Sequence, residues 1–223
     1  MAAFVSSLTL SAQNKSNTNQ ALRDSLAQAT DILAYHPDSI DLRLKKAAWN
    51  IQLEQWSYAK DDLDKVLFLN NTNIAGLFFR AFVNEKMKRY NFARLDYQNL
   101  LVLVPGNFQA QLGLALLNEK DKHYTEAYDG INALIEQYPD SALAYAARGG
   151  IEKERGRLEL AEYDYAKAME LDAKNKDYVL NHVDLLITLG RKNEAYEDLK
   201  VLMGLGVHSG ELAAFRARLR KLK

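Results

Sequence analysis

Alanine recurs along this chain at a fixed 34-residue step. One series with this step contains only alanine: Ala59, Ala93, Ala127, Ala161 and Ala195. A second series with the same step contains mainly small residues: Ala47, Ala81, Ala115, Gly149 and Val183. A period of this length is typical of helix–turn–helix units that stack into an array. The step therefore predicts an all-α fold, a right-handed α-solenoid of tandem 34-residue helix–turn–helix repeats.

The three prolines share one phase of this period. Pro105 and Pro139 are one such step apart, and Pro37 lies two steps before Pro105. Proline disfavours helical backbone at the residue before it, so a helix is expected to end near each of these positions. Gly156 and Gly190, also one step apart, mark two turns inside repeats. The pattern divides the chain into five repeats: 40–73, 74–107, 108–141, 142–175 and 176–209.

Each repeat is expected to contain two helices joined by a short turn. The first helices are predicted at 40–53, 74–87, 108–121, 142–155 and 176–189. The second helices are predicted at 57–70, 91–104, 125–137, 159–171 and 193–203. The distance between paired helices depends on the side chains at their contact, so the small residues allow the two helices of a repeat to approach closely.

Helices are also predicted at both ends of the array. Gln20–Tyr35, with apolar residues at helical spacing, is expected to form a half repeat within 20–39. Gly210–Leu222 is expected to form a C-terminal capping helix within 210–223, with Ser209 as its N-cap. Repeat arrays need such ends, because each unit leaves an apolar face for its neighbour.

The N-terminal segment Met1–Ala12 is apolar and uncharged. It resembles the end of a truncated secretory signal peptide, although it lacks a basic leading region, and an unstructured N-terminus is the alternative. The polar stretch Asn14–Asn19 is expected to be a linker within 1–19. The protein is expected to be periplasmic or secreted if the segment is an export signal, and cytoplasmic otherwise. No apolar run approaches the roughly 20 residues that cross a bilayer.

Composition and motifs exclude several classes of function. The 29 basic and 29 acidic residues cancel, so no long-range field favours nucleic acid. The chain has no cysteine, and none of its four histidines has a second ligand at metal-like spacing. No catalytic triad order, phosphate-binding glycine loop or zinc motif occurs, and we predict no catalytic site, cofactor or metal. Asp61, Asp62 and Asp64, close to Lys60 and Lys65, are interpreted as a solvated helix face.

The central repeats resemble a tetratricopeptide repeat. The family's characteristic places hold Leu77, Ala81, Tyr90, Ala93, Tyr97 and Pro105 in one repeat, and Leu114, Ala115, Tyr124, Ala127, Ile131 and Pro139 in the next. The fourth repeat has Ala173 in place of proline, and the first and last depart at Arg43, Asn71, Lys192 and Val207. The resemblance covers about three quarters of the chain. It specifies the fold more strongly than any function.

Members of the family are generally protein–protein adaptors that bind a peptide or helix on the concave face of the first helices. Carried over to this sequence, the resemblance implies an apolar groove with an acidic bias and no cluster of cations for a C-terminal carboxylate. Its candidate residues are Leu44, Ile51, Phe78, Phe82, Glu85, Leu112, Leu116, Glu119, Lys153, Leu180 and Asp184. The expected partner is an amphipathic protein segment or peptide with bulky apolar side chains and a few basic residues.

Several alternatives remain open at this point. Phe78, Phe82, Leu112 and Leu116 are either anchors for a bound segment or partly packed against neighbouring first helices. The chain is either a non-catalytic interaction scaffold or a self-assembly module in which another copy covers the groove or an open end. Both a monomer and a homodimer are consistent with the sequence. The basic stretch 211–223 either contacts an anionic surface or keeps the cap soluble.

Overall fold

The computed structural model describes the backbone of residues 2–222 and the side chains of residues 17–222. The predicted export segment, Met1–Ala12, lies outside the described side chains. The described residues form helices and no strands: α1 (Ala2–Tyr35), α2 (Ile40–Gln52), α3 (Trp56–Leu69), α4 (Ile74–Lys86), α5 (Tyr90–Leu103), α6 (Phe108–Lys120), α7 (Tyr124–Gln137), α8 (Ala142–Glu154), α9 (Leu158–Leu171), α10 (Lys176–Thr188), α11 (Lys192–Gly204) and α12 (Ala213–Lys221).

The helices from α2 to α11 begin and end within one residue of their predicted positions. The first helix is longer than predicted, because it begins at Ala2 and includes the whole of the expected linker Asn14–Asn19. Polar composition suggested a linker there, but composition alone does not distinguish a solvated helix from a loop. Pro37 follows the end of α1 at Tyr35, as its effect on the preceding backbone requires.

The chain forms two compact units, Met1–Ala110 and Gln111–Lys223. The boundary between them in the sequence falls within α6. In the first unit, α3 packs against α2 and α4, and α4 also packs against α5. In the second unit, α8 packs against α7 and α9, and α10 packs against α9 and α11. Within each unit, these helices thus pack against the helix before or after them in the sequence. This order confirms the predicted fold class, an all-α solenoid of helical repeats.

A short polar side chain caps the first helix of every repeat. The Asn73 side chain accepts a hydrogen bond from the Gly76 amide at 2.8 Å, and Asn107 accepts one from the Ala110 amide at 2.9 Å. The full series has the 34-residue step: Ser39, Asn73, Asn107, Ser141 and Asn175. Such a cap satisfies an amide that has no partner inside the helix, which fixes where the helix begins.

A left-handed residue separates the two helices of each repeat. The five positions again follow the repeat step: Glu54, Lys88, Lys122, Gly156 and Gly190, with φ between 57° and 73°. Just after it, the chain bonds back to the first helix, as when the Arg89 amide donates to the Asn84 carbonyl at 2.8 Å. This geometry ends one helix and turns the chain into the next. The sequence revealed it only where glycine occupies the position.

Small residues lie where the helices of a repeat cross. Ala47 and Ala59 are fully buried in one core cluster with Leu63. At Gly149, an added Cβ would lie 3.3 Å from both the Ala161 carbonyl oxygen and a carbon of Tyr165. Larger side chains at these places would force the helices apart, which is the role the sequence predicted for them.

The C-terminal helix corrects a prediction. It begins at Ala213 instead of Gly210, and Ser209 does not cap it, because the Ser209 hydroxyl accepts a hydrogen bond from Arg216. Leu212, the residue before the helix, is fully buried in a cluster with Leu202. The turn that carries Leu212 into this core delays the start of the helix.

Substituting Ala127 tests the close approach of the helices. Ala127 is fully buried, so Ala127→Leu should lower the free energy of unfolding by about 1–3 kcal/mol through overpacking. Ala133 on the same helix is exposed, and Ala133→Leu is the matched control with almost no expected effect. Urea unfolding followed by circular dichroism measures both. Equal losses at the two positions would contradict the assigned phase of the repeat.

Candidate partner-binding surface

In the first unit, the predicted groove residues are half-buried. Leu44, Ile51 and Phe82 pack against the cluster of buried residues around Ala47. The Phe82 ring meets the Trp56 ring edge to face, with 6.2 Å between ring centroids. These three side chains therefore combine a fixed position with a surface that solvent still reaches.

Phe78 lies one turn before Phe82 on α4 and is also half-buried. Its ring contacts the rings of Phe79 and Tyr97, with centroid distances of 5.9 and 6.2 Å. Burial raises the pKa of Tyr97, and the nearby charge of Glu85 raises it further. Phe78 and Phe82 therefore pack partly against neighbouring helices, and they keep an exposed part on the first-helix face.

In the second unit, the predicted apolar residues differ in exposure. Leu112 is only 7% exposed, so it contributes to the core and offers little surface to a partner. Leu116 is half-buried. Leu180 is half-buried as well and packs against the cluster of α10, α11 and α12 that contains Val183. Periodicity placed Leu112 on the first-helix face but could not show how far the neighbouring side chains cover it.

Glu119 has an unusual environment for a carboxylate. Its Oε2 is buried and has no hydrogen-bond partner among the described residues. Burial raises the pKa of Glu119 above its ordinary value, and the charge of Arg155 acts in the opposite direction. This oxygen is closed to solvent, so a ligand meets Glu119 only through the part of its side chain that remains accessible.

The predicted groove counted Lys153 and Asp184 as separate charges, but in the structure they form an ion pair. The Lys153 ammonium and the Arg218 guanidinium both donate hydrogen bonds to the Asp184 carboxylate. Burial alone would raise the pKa of Asp184, but these two hydrogen bonds outweigh it and lower the pKa below the ordinary 3.8. The acidic bias expected for the fifth repeat is therefore compensated within the chain.

Buried ion pairs between helices were missed by the sequence analysis. In the second unit, the Arg148 guanidinium donates to both carboxylate oxygens of Asp164, at 2.8 and 2.7 Å. Its remaining nitrogen donates to the Asn132 side-chain oxygen at 2.9 Å. Asp164 is 2% exposed, so its charge depends on this arginine. Arg148 thus connects three consecutive helices, α7, α8 and α9.

The first unit contains equivalent pairs. Arg80 donates to both oxygens of Asp96 at 3.0 and 2.7 Å, and to Asp64 at 3.0 Å. Asp62 is 4% exposed and lies between Lys46 at 3.3 Å and Arg43 at 3.1 Å. The interpretation of Asp62 as part of a solvated face was therefore wrong. Local composition suggested solvent, but α2 and its cations cover this carboxylate.

The ion pairs had a signal in the sequence. A basic residue and an aspartate are 16 positions apart, and the pairs repeat with the 34-residue step: Lys46–Asp62, Arg80–Asp96, Arg148–Asp164 and His182–Asp198. The third repeat has Leu114 and Gly130 at these two places. The series becomes visible only when the 16-residue spacing within a pair is combined with the 34-residue step between repeats.

One buried polar contact involves a histidine. His182 is buried and its Nδ1 lies 2.6 Å from the Asp198 carboxylate. No group of three or more metal-ligating side chains occurs in the described part of the chain. Among the described helices, none combines the length and apolar composition needed to cross a membrane.

Comparisons by sequence and by structure give different results. No protein-family model matches the sequence, and no curated protein matches it. A tetratricopeptide repeat protein from Parabacteroides merdae has a similar structure, with a TM-score of 0.76, 20% identity, and coverage of 92% of this chain and 80% of that chain. The chain has the tetratricopeptide repeat fold.

Other solved structures support the same tetratricopeptide repeat fold. A thermophilic protein of this fold from Thermus thermophilus has a TM-score of 0.65 at 16% identity, over 82% of this chain and 98% of that chain. YrrB, described as a tetratricopeptide repeat protein with an unusual peptide-binding site, has a TM-score of 0.55 at 16% identity, over 87% of this chain and 98% of its own.

Breaking one buried ion pair should be costly in this tetratricopeptide repeat. Arg148→Leu leaves the Asp164 charge buried and unpaired, so we expect unfolding to become easier by about 3–5 kcal/mol. The double variant Arg148→Leu/Asp164→Ala removes both charges and should recover a large part of that loss. The third repeat, with Leu114 and Gly130, is the natural precedent. A double variant no more stable than Arg148→Leu in urea unfolding would contradict the interpretation.

The Asp184 ion pair should make stability depend on pH. Because the pKa of Asp184 is below 3.8 in the folded state, its stabilising effect is complete above pH 3.8 and is lost as pH falls through the folded-state pKa. Asp184→Asn should therefore lower the melting temperature at neutral pH, and its difference from wild type should shrink in acid. Asp129→Asn, at an exposed position on α7, is the control. If the difference in melting temperature between Asp184→Asn and wild type grew in acid, it would contradict the lowered pKa of Asp184.

Proposed function

We propose that this chain is a non-catalytic scaffold that binds a protein or peptide segment on the first-helix faces of its repeats, mainly through apolar contacts. The observation that supports this most is the position of Phe78 and Phe82 on α4. Both rings are half-buried, lie on one helix face and contact fixed aromatic neighbours. Aromatic residues that fill a desolvated contact carry most of the binding energy in protein interfaces.

The packing of the two rings adds to their suitability as anchors. Trp56 supports Phe82, and Tyr97 supports Phe78, so both rings are held before a partner arrives. A side chain that is already ordered loses less conformational entropy on binding than a mobile one. Leu44 and Ile51 extend the apolar surface onto α2 in the same unit. Together these residues offer an amphipathic segment a preformed apolar face.

Charges near these faces suggest the polar part of the ligand. Glu85 follows Phe82 by three residues on α4, so both lie on one side of the helix. In the second unit, Glu119 contributes a half-buried acidic side chain on α6. Asp184 adds little, because Lys153 and Arg218 compensate it. The preferred ligand is an amphipathic helix or extended segment with bulky apolar side chains and a few Lys or Arg residues.

The test begins with affinity capture of the partner from the native source, followed by titration with variants. Phe82→Ala should weaken binding by more than about 1 kcal/mol, the range of energetically important interface residues. Tyr163→Ala is the matched control and should leave binding unchanged, because Tyr163 is an exposed aromatic residue on α9, outside the first-helix faces. Glu119→Lys should have a smaller effect, which fades in 1 M salt where the screening length is about 3 Å. Circular dichroism and melting must show that each variant is folded.

Two outcomes would contradict the proposal. The first is normal binding by both Phe78→Ala and Phe82→Ala while Glu119→Lys abolishes binding at every salt concentration. The second is a protein that dimerises without any partner and loses the dimer on Phe82→Ala, which would mean that another copy covers the groove. Isothermal titration and light scattering distinguish these outcomes from the expected one.

A further inference from the structure

The second helices of the first unit expose large apolar side chains. Five of them lie on α3 and α5: Tyr58, Phe68, Phe92, Leu95 and Val102, with exposures of 65, 81, 55, 53 and 80%. None of them belongs to the first-helix face described above. Scattered exposed apolar residues are normal, but several together indicate an interaction surface. We call these five residues and the charged pair Asp61 and Lys65 the outer strip.

The repeat pattern does not impose the outer strip: α9 exposes Leu160 and Tyr163 at matching places, but α7 carries charged residues there. The 34-residue step relates Tyr58 to Phe92 on α5 and then to Glu126 on α7. It likewise relates Phe68 to Val102 and then to Glu136. Glu126 and Glu136 are exposed, as expected for a solvated helix face. The fold therefore does not require apolar residues at these places, and their presence on α3 and α5 needs a separate cause.

The α3 part of the outer strip is chemically palindromic. Tyr58, Asp61, Lys65 and Phe68 are spaced by 3, 4 and 3 residues and so share one helix face. Read from either end of the helix, the order is the same: an aromatic ring, two opposite charges and a second aromatic ring. If α3 lies antiparallel on α3 of a second copy, Tyr58 of each copy meets Phe68 of the other. In the same way, Asp61 of each copy meets Lys65 of the other. A two-fold interface needs this kind of self-complementary surface.

The two charges are placed for such a contact. Asp61 is exposed and forms no ion pair within the described residues. The Lys65 ammonium lies 5.0 Å from the centre of the Phe68 ring and 3.2 Å from the Asp38 carboxylate. Its side chain is 34% exposed, so Asp61 of a second copy could reach it. Lys65 is thus already held over the strip on which that carboxylate would arrive.

The α5 part of the outer strip extends the same arrangement. Phe92 and Val102 are apolar at the two ends of its exposed face, and Leu95 lies between them. The Arg89 guanidinium lies 4.5 Å from the centre of the Phe92 ring. This cation–ring contact resembles that of Lys65 with Phe68 on α3. Since α3 and α5 both pack against α4, the two exposed faces belong to one compact body.

We propose that the outer strip of α3 and α5 is a homodimer interface, in which α3 pairs antiparallel with α3 of a second copy about a two-fold axis. Apolar contacts supply most of the affinity, and the two Asp61–Lys65 pairs set the antiparallel orientation. This interface is independent of partner binding by the first helices, because it uses different helices and leaves Phe78 and Phe82 uncovered.

Sedimentation velocity over a range of concentrations tests the proposal with charge-swap variants. Wild type should show a monomer–dimer equilibrium. Phe68→Ala and Asp61→Lys should each raise the dimer dissociation constant by more than about tenfold, because every substitution occurs twice in the interface. The double variant Asp61→Lys/Lys65→Asp should restore the dimer. A mixture of Asp61→Lys with Lys65→Asp should form the heterodimer in preference to either homodimer.

Asp129→Lys on α7 is the matched control, since Asp129 is exposed and lies two repeat steps after Asp61. It should leave the dissociation constant unchanged, and thermal melts should show every variant folded. A wild type that stays monomeric up to about 100 μM overturns the proposal, because only a very weak contact would be consistent with that result. A dimer insensitive to Phe68→Ala, or a double variant that does not recover, overturns it equally.

Discussion

The close approach of the two helices in each repeat is the constraint on which the rest of this structure depends. Fully buried Ala47 and Ala59, and Gly149, where an added Cβ would make tight contacts of 3.3 Å, allow that approach. Because the backbones are near each other, Arg148 on one helix can bond both oxygens of Asp164 on the other. A larger separation would leave these charges buried and unpaired, so the small residues permit the polar interior as well as the apolar core.

The sequence predicted the helices well because their ends are local features. A capping side chain such as Asn73 and a left-handed turn residue such as Lys88 act over a few neighbouring positions. The end of the array was harder to predict. Whether a helix begins at Gly210 or Ala213 depends on the burial of Leu212, which only the packed C-terminal cluster shows. Local patterns can suggest several starts for such a helix, and tertiary packing selects one.

The candidate surfaces could be predicted only in part, because helical spacing assigns a residue to a face but not its exposure. Leu112 occupies a groove position, and the chain nevertheless buries it. Asp184 is compensated by Arg218 from α12, a residue 34 positions away in the sequence that no pattern within α10 indicates. Tyr58 is the opposite case, since an aromatic residue on a helix suggests a core position and the structure leaves it 65% exposed. Burial of each of these side chains is decided by other helices.

The break in the ion-pair series at Leu114 and Gly130 has a consequence for how the helices find their neighbours. Caps, turns and small residues are nearly the same in every repeat, so they fit a wrongly matched helix almost as well as the right one. If α8 paired with α7 as its second helix, Arg148 would face Gly130 and the buried Asp164 would lose its cation, at a cost of several kcal/mol. The break in the series therefore distinguishes the third repeat from its neighbours, and it disfavours this wrong pairing of α8 in an otherwise repetitive chain.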